Sequence, residues 1–277
     1  MRGMKILVTN DDGYKAAGIH CLVKMLTRFG DVTVVSPKHP QSGMSLAITI
    51  GMKPVAAKHI GEMDGADWWY LDATPSCCIK YGIDIIFGGE RPDLVVSGIN
   101  HGSNAAVAAL YSGTVGASTE GVINGVKAVA VSLSNLSPDA DFSVVEKFFP
   151  DILHKILANW PDKAGLAYNI NFPDIPAEKI LGVKPALMGM GYWKDQFVPY
   201  RQFLSSGRFE PGSEALAYLD ALEEGESAYV ILGDFVDCGT DPAIADHKLL
   251  KSGWISVVPY CIDNSDKEEF SRLCDII

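Results

Sequence analysis

The chain has 277 residues, of which 48% are hydrophobic, so we expect a globular protein with a large core rather than a disordered one. Its length fits one large α/β domain, or a core domain with an elaboration. A formal net charge of -11 without a basic cluster disfavours binding to nucleic acid or to an anionic membrane surface.

Runs of Val, Ile and Leu alternate with amphipathic stretches, a pattern that predicts βαβ units and a mostly parallel sheet. The predicted elements, in chain order, are a strand at 5–9, a helix at 17–29 that Gly30 ends, a strand at 31–36, a loop at 37–44, strand-like segments at 45–60 and 67–73 resembling a hairpin, a helix at 75–86, a short strand within 93–100, a helix entered at 112–114, a strand at 126–132, a helix at 142–159 and a strand at 167–170.

After Pro185 this alternation is lost. Aromatic, Gly and Met residues dominate, and short helical and strand patterns follow without a clear period. We therefore predict an α/β fold with a core over residues 1–185. A smaller mixed or antiparallel annex over 186–277 would serve oligomerisation and return one strand to the core.

The cysteines show no paired zinc spacing. Cys77 and Cys78 are neighbours that suit a soft metal, but two reduced thiols in a cytosol are the favoured interpretation. The N-terminus has no signal-peptide pattern, and no apolar run approaches the roughly 20 residues that cross a bilayer. We therefore expect a cytoplasmic protein.

Three predicted loops carry oxygen-bearing side chains at strand ends, where open α/β sheets bind ligands. Amide, hydroxyl and carboxylate oxygens suit Mg²⁺ or Mn²⁺ better than zinc, and a cation would relieve the repulsion between Asp11 and Asp12. These side chains belong to Asn10, Asp11 and Asp12 in the first loop, Gln41 and Ser42 in the second, and Ser97, Asn100, Ser103 and Asn104 in the third.

Each of these patterns also has a plain structural interpretation. An Asp pair before Gly13 is often a turn or a helix cap, and Asn100 and Asn104 alone are ordinary loop residues. The segment from Tyr111 to Ala117 predicts a helix start that suits a phosphate, or an ordinary cap at Ser112. It is not a Walker loop, and no dinucleotide fingerprint follows the first strand.

The other polar and aromatic residues give weaker indications. His20 is expected to be surface or core filler, and His101 an exposed loop residue, although it neighbours Asn100 and could assist a leaving group. Tyr192 and Trp193 suit stacking on a base, but packing in a core or interface is at least as probable.

Four segments resemble the signature segments of the SurE survival-protein nucleotidases, and they occur in the family order. These segments are ILVTNDDGYKAAGI, PKHPQSG, PDLVVSGINHGSN and YSGTVGASTEG. ATPSCCIKYGI and TDPAIADHKLLKSGWISVVP resemble two further family segments more loosely. The resemblance spans nearly the whole chain.

The resemblance implies a Rossmann-like three-layer core and a C-terminal part that forms homodimers or homotetramers. It also implies a metal-dependent phosphomonoesterase that hydrolyses nucleoside 5′- and 3′-monophosphates, and in some members short polyphosphate. The family's ligands for one Mg²⁺ or Mn²⁺ fall on Asp11, Asp12, Ser42 and Asn100. Its phosphate-contacting loop falls on Ser112, Gly113 and Thr114, with Asn104 nearby.

This chain departs from the family pattern at several places. Family members usually carry acidic residues where this chain has AAVAAL, and commonly Gly-Thr-Pro-x-Asp-Cys where it has Ala73 to Cys78. The segments on either side of Thr240-Asp241 also look longer than usual. These changes spare the metal set and bear on the substrate range and the assembly rather than on the reaction.

The resulting hypothesis is in-line attack on phosphorus by water, with Asp11, Asp12 and Asn104 as catalytic residues and a bound cation neutralising charge. An Asp acting as a covalent nucleophile is the alternative. A non-catalytic nucleotide or metal sensor is the second hypothesis. A receiver domain would need a third Asp where the chain has Ser97-Gly98, and a haloacid-dehalogenase-type phosphatase would need Asp-x-Asp after the first strand.

Overall fold

The computed structural model describes residues 3–51, 54–206 and 213–277. The strands in this part of the chain are β1 (Met4–Thr9), β2 (Gly30–Pro37), β3 (Ala57–Met63), β4 (Ala66–Leu71), β5 (Leu94–His101), β6 (Lys127–Leu133), β7 (Leu166–Phe172), β8 (Gly182–Pro185), β9 (Gly191–Lys194), β10 (Phe197–Pro199), β11 (Tyr229–Ile231), β12 (Asp234–Asp237) and β13 (Trp254–Cys261). The α-helices are α1 (Ala17–Leu26), α2 (Pro75–Tyr81), α3 (Gly113–Ile123), α4 (Ser143–Ala158), α5 (Tyr200–Ser205), α6 (Ser213–Asp220), α7 (Asp246–Lys251) and α8 (Lys267–Cys274).

The central sheet has nine strands in the order β3-β4-β2-β1-β5-β6-β7-β13-β8. The six strands from β4 to β7 are parallel, β3 is antiparallel to β4, and β13 is antiparallel to β7. When the six parallel strands are numbered 1 to 6 in chain order, they lie in the sheet in the order 3-2-1-4-5-6, which is the Rossmann arrangement. The predicted mostly parallel α/β fold is confirmed, and the carboxyl ends of β1, β2 and β5 lie at one edge.

Successive side chains of β1 point to opposite faces of the sheet and belong to two separate layers of the core. Ile6 and Val8 pack with residues of α1 and α4 on one face, whereas Leu7 packs with residues of α2 and α3 on the other. Each such fully buried side chain contributes about 2 kcal/mol of hydrophobic stabilisation. The resulting three layers fix the direction of β1 and hence the position of the loop that follows it.

The predicted helix at 17–29 is three residues too long. α1 ends at Leu26, and Gly30 begins β2 instead of terminating the helix. Gly30 pairs with Met4, and an added Cβ at residue 30 would lie 2.0 Å from the Met4 carbonyl oxygen. Close backbone approach in the sheet therefore explains this glycine.

The prediction of a strand over 45–60 is wrong for most of that segment. Only Ala57–Met63 forms β3, which pairs with β4 as the expected hairpin; residues 52 and 53 lie outside the described residues. Ser45 and Ala47 are anchored individually: Ser45 Oγ donates to the Leu110 carbonyl (2.7 Å), and Thr74 Oγ1 donates to the Ala47 carbonyl (2.7 Å). Side-chain anchors replace strand pairing there.

The remaining predicted core elements agree with the structure to within a few residues. The helix from Pro75 ends as an α-helix at Tyr81 and continues as a π-helical turn over Gly82–Ile86. The segment around residue 97 differs more, because β5 runs on to His101 with an irregular register on β6 between Ser97 and Asn100.

The chain divides into two compact units. The first comprises Met1–Gly189 and Asp241–Ile277, and the second comprises Met190–Thr240. The second unit contains α5, α6 and two separate antiparallel pairs, β10 with β11 and β9 with β12. The sequence predicted a division between residues 185 and 186. Strand β13 follows this division in the chain and pairs with β7 in the central sheet. No helix in the described ranges is long and apolar enough to cross a membrane.

Candidate active site

The turn after β1 is buried and held by Asn10. The Asn10 amide nitrogen donates to the Gly13 carbonyl (2.9 Å), and Ser36 Oγ donates to Asn10 Oδ1 (2.6 Å). Both ends of this amide are therefore used within the protein. Asn10 fixes the turn, and Asp11 and Asp12 are the residues of this loop that it presents to a ligand.

Asp11 joins two other loops to this turn. Thr114 Oγ1 donates to Asp11 Oδ1 at 2.6 Å, and the Gln41 N–H donates to the Asp11 carbonyl oxygen at 2.7 Å. The first contact brings in the start of α3, and the second brings in the loop after β2. Ser42 follows Gln41 and is exposed, so this predicted ligand lies next to the turn without a hydrogen bond to either carboxylate among the described residues.

Gly113 is required by its contact with Asp11. An added Cβ at residue 113 would lie 2.8 Å from Asp11 Cβ and 3.0 Å from its Oδ2. The missing side chain lets the first turn of α3 approach the carboxylate. The predicted phosphate loop and the predicted metal ligand are therefore neighbours.

Asp12 connects the turn with the third predicted loop. The His101 N–H donates to Asp12 Oδ2 at 3.1 Å. The preceding residue, Asn100, donates from its amide nitrogen to the Gly102 carbonyl at 2.7 Å, and its Oδ1 accepts no hydrogen bond from the described residues. That oxygen is the atom a cation would need. Ser97, by contrast, is buried within β5 and is not at a strand end.

Burial disfavours the ionised form of both Asp11 and Asp12. Desolvation, together with the smaller effect of the Asp12 charge, raises the pKa of Asp11 to about 6, against the hydrogen bond from Thr114. The pKa of Asp12 is also raised, mainly by desolvation, although the His101 N–H favours its ionised form. Two desolvated carboxylates facing one edge favour a bound cation.

The donor set fits a hard divalent cation. Asp11 and Asp12 offer carboxylate oxygens, Asn100 offers an amide oxygen, and Ser42 offers a hydroxyl. In the described part of the chain, no three His, Cys, Asp or Glu side chains cluster as a metal site. Two carboxylates with neutral oxygens suit Mg²⁺ or Mn²⁺ rather than zinc.

The start of α3 has the capped geometry that the sequence predicts. Ser112 precedes the helix, and its Oγ accepts a hydrogen bond from the Val115 N–H at 3.1 Å. The Ser112 hydroxyl hydrogen is left to donate to a ligand, whereas that of Thr114 is directed to Asp11. Thr114 thus orients the Asp11 carboxylate, and the positive end of the α3 dipole lies beside that carboxylate.

Asn104 is held at three atoms by buried polar side chains. Its N–H donates to Asn171 Oδ1, its carbonyl accepts from Asn169 Nδ2, and its amide nitrogen donates to Ser132 Oγ, each at 2.8 Å. The predicted phosphate contact is therefore a rigid residue. Sequence reasoning did not find Asn169 and Asn171, although their alternation in an otherwise apolar strand was a detectable signal.

The histidines that the sequence singled out make contacts within the protein. His20 is partly buried, pairs with Asp64 (2.6 Å) and stacks on Trp68. The expectation that His101 is solvent-exposed is wrong, because its ring is half-buried, donates from Nδ1 to the Ser137 carbonyl (2.8 Å) and packs edge-on against Phe142. All six cysteines are free thiols. Tyr192 and Trp193 lie on β9 in the second unit.

Residues 6–195 of the chain match the family model described as Survival protein SurE. The chain is 34% identical over 258 residues to the 5′-nucleotidase SurE of Cytophaga hutchinsonii, a match that covers 93% of this chain and 91% of that relative. It is 33% identical to the 5′-nucleotidase SurE of Thermosipho africanus, over 98% and 96% of the two chains. The crystal structure of the SurE protein from Aquifex aeolicus aligns with a TM-score of 0.77 at 27% identity, covering 98% of this chain and 99% of that one.

Proposed function

Because the chain belongs to the SurE family, we propose that it is a 5′-nucleotidase that releases phosphate from nucleoside monophosphates. The single observation that carries the proposal is the contact of Asp11 with Thr114 at the start of α3 (2.6 Å), which joins the acidic turn to a helix terminus that suits a phosphate. We extend the proposal to 3′-monophosphates and short polyphosphate as further substrates.

One Mg²⁺ or Mn²⁺ would be held by Asp11, Asp12, Ser42 and Asn100. When bound, such a cation neutralises charge that develops on phosphoryl oxygens. The raised pKa of Asp11 supports this assignment, because a buried carboxylate that is poorly compensated by the protein favours a cation. Ser42 is exposed, so its side chain has room to turn its hydroxyl oxygen toward a bound cation.

The protein's own groups would bind and orient the phosphate. The Ser112 hydroxyl, the Asn104 amide and the Gly113 N–H at the start of α3 donate to its oxygens. Asp12 is half-buried, and its Oδ1 accepts no hydrogen bond from the described residues, so it can take a proton from the attacking water. The water oxygen then bonds to phosphorus, the ester P–O bond breaks, and the departing nucleoside oxygen takes a proton from solvent.

Attack by an Asp carboxylate oxygen is the alternative chemical route. It would form an acyl phosphate that water hydrolyses in a second step. Trapping with acid after a single turnover distinguishes the routes, because labelled phosphate stays on the protein only in the covalent one.

The test is phosphate release from a panel of nucleoside 5′- and 3′-monophosphates and short polyphosphate. We expect release from the nucleotides with added Mn²⁺ or Mg²⁺, and loss of release in EDTA that excess Mn²⁺ restores. No release from any substrate with either metal would refute the enzyme proposal and favour a sensor. Undiminished release in EDTA would refute the metal set.

We further infer a cytoplasmic homodimer or homotetramer. Support for self-association comes from α8, an exposed helix on which Phe270 and Leu273 are open to solvent, followed by exposed Ile276 and Ile277. Exposed apolar side chains on one short helix are typical of an interface. Light scattering at two protein concentrations measures the mass, and a monomer at both would contradict the inference.

A further inference from the structure

The loop between Asn104 and Ser112 is held by a buried carboxylate outside the candidate site. Asp246, at the start of α7, is fully buried. Its Oδ2 and Oδ1 accept from the Ala106 N–H at 2.9 and 3.0 Å. Its Oδ1 also accepts from the N–H groups of Gly189 (3.0 Å) and His247 (2.7 Å).

Ala106 adopts a backbone conformation that needs such support. Its φ is +52°, in the left-handed region that costs an ordinary residue roughly 1–2 kcal/mol. A hydrogen bond from an N–H to a buried carboxylate is roughly twice as strong as one between neutral groups. The path of the chain immediately after Asn104 therefore depends on Asp246.

Asp246 completes a framework that also holds Asn104 directly. Asn171 and Asn169 fix the Asn104 backbone, and Ser132 fixes its amide nitrogen. All of these partners are buried. Asn104 therefore has one amide orientation, while Ala106, two residues later, directs the loop toward Ser112.

We propose that Asp246 is a positioning residue for phosphate transfer, which it serves by fixing Ala106 and thereby the placement of Asn104. The inference rests on the proposed function. Asp246 is fully buried and makes no hydrogen bond to the acidic turn among the described residues, so its effect on the reaction would pass through the loop. A displacement of about 1 Å in a group that orients a substrate can reduce turnover about 100-fold.

The geometry makes Asp246→Asn a selective perturbation. If the Asn oxygen occupies the place of Oδ1, it still accepts from Gly189 and His247, and from the Ala106 N–H at 3.0 Å. The new amide nitrogen then replaces Oδ2, 2.9 Å from the Ala106 nitrogen, so that two donors face each other. The substitution therefore acts mainly on the loop.

The experiment is a double-mutant cycle measured by metal-dependent phosphate release from a nucleoside 5′-monophosphate. Asp246→Asn should reduce kcat about 10- to 100-fold with little change in KM, because the lost interactions strengthen in the transition state. In an Asn104→Ala background the same substitution should change kcat less than about 3-fold, because the group that it displaces is already absent. Asp241→Asn is the matched control: this exposed carboxylate bonds only to the Ala243 N–H (2.8 Å) among the described residues, so its loss should leave kcat unchanged.

Equal loss of kcat in the two backgrounds would overturn the proposal, because a general loss of folded enzyme acts independently of Asn104. Wild-type kcat in Asp246→Asn would also overturn it. If Asp246→Asn does not fold, Asp246→Ser, which is smaller and keeps one acceptor, provides the second test, with the same dependence on Asn104 expected and additivity refuting it. An inactive wild-type protein would instead refute the nucleotidase proposal itself.

Discussion

Replacement of Asp11 by Asn should make the metal-free protein more stable. Burial raises the pKa of Asp11 from 3.8 to about 6. The folded protein therefore holds this proton more tightly than the unfolded chain does, and its stability falls as the pH rises from about 4 through 6. Asn keeps an oxygen for the Thr114 hydroxyl but carries no charge.

The pKa difference of about 2 units corresponds to about 3 kcal/mol at 1.36 kcal/mol per unit. At pH 7.5 without metal, Asp11→Asn should therefore gain up to that amount, or about 5 °C in Tm. Below pH 4 the gain should disappear. Mn²⁺ at about 1,000-fold excess over Kd should reverse the order, because it stabilises the wild type by about 4.1 kcal/mol and leaves the variant unchanged.

Differential scanning calorimetry in EDTA and in Mn²⁺, at pH 4 and pH 7.5, measures these differences. Phosphate release under the same conditions should fall by at least about 100-fold in the variant. A variant that is less stable than the wild type at pH 7.5 in EDTA would refute the electrostatic reasoning. Equal stabilisation of both proteins by Mn²⁺, or near-normal turnover in the variant, would refute the metal assignment.

Two further predictions concern the same turn. Gly113→Ala should stay folded but lose at least about 10-fold in kcat/KM, because its Cβ would lie 3.0 Å from Asp11 Oδ2, whereas Ala itself favours a helix; steady-state kinetics with circular dichroism checks both parts, and wild-type kcat/KM would contradict the contact. The affinity for Mn²⁺ should fall about tenfold per pH unit below pH 6 and stay level above pH 7, because a proton on Asp11 competes with the cation. Titration calorimetry at pH 5, 6, 7 and 8 measures this, and equal affinities at pH 5 and 7 would rule it out.

Local patterns predicted those parts of the fold in which hydrophobic burial decides the structure. The apolar strands β1 and β5 and the capped start of α3 lie where periodicity and capping residues indicate. The segment after Ser45 resembled a strand by composition, but it is held by the Thr74 hydroxyl, which donates to the Ala47 carbonyl, and by the Ser45 hydroxyl, which donates to the Leu110 carbonyl. Such anchors join residues far apart in sequence, and no local pattern reveals them.

The candidate site was predictable to the same extent. Asp11 and Asp12 follow β1, and Asn100 lies at the carboxyl end of β5; the sequence locates both strands, and parallel neighbouring strands bring their ends together. The role of Asp246 was not predictable, because its partners Ala106 and Gly189 offer only backbone N–H groups. A backbone donor is present at almost every residue, so the sequence does not mark which ones a buried carboxylate will meet.

Asp11 and Asp246 show how differently one fold treats two buried carboxylates. Asp246 is supplied with N–H donors from three separate residues, and its charge needs nothing from outside the protein. Asp11 is almost as buried, but its carboxylate receives hydrogen bonds only from Thr114 and from its own backbone N–H among the described residues, and the neighbouring charge of Asp12 raises its pKa. A fold that can surround one carboxylate with amides could have done so for the other. The incomplete provision at Asp11 is therefore best explained by a ligand that supplies the missing positive charge.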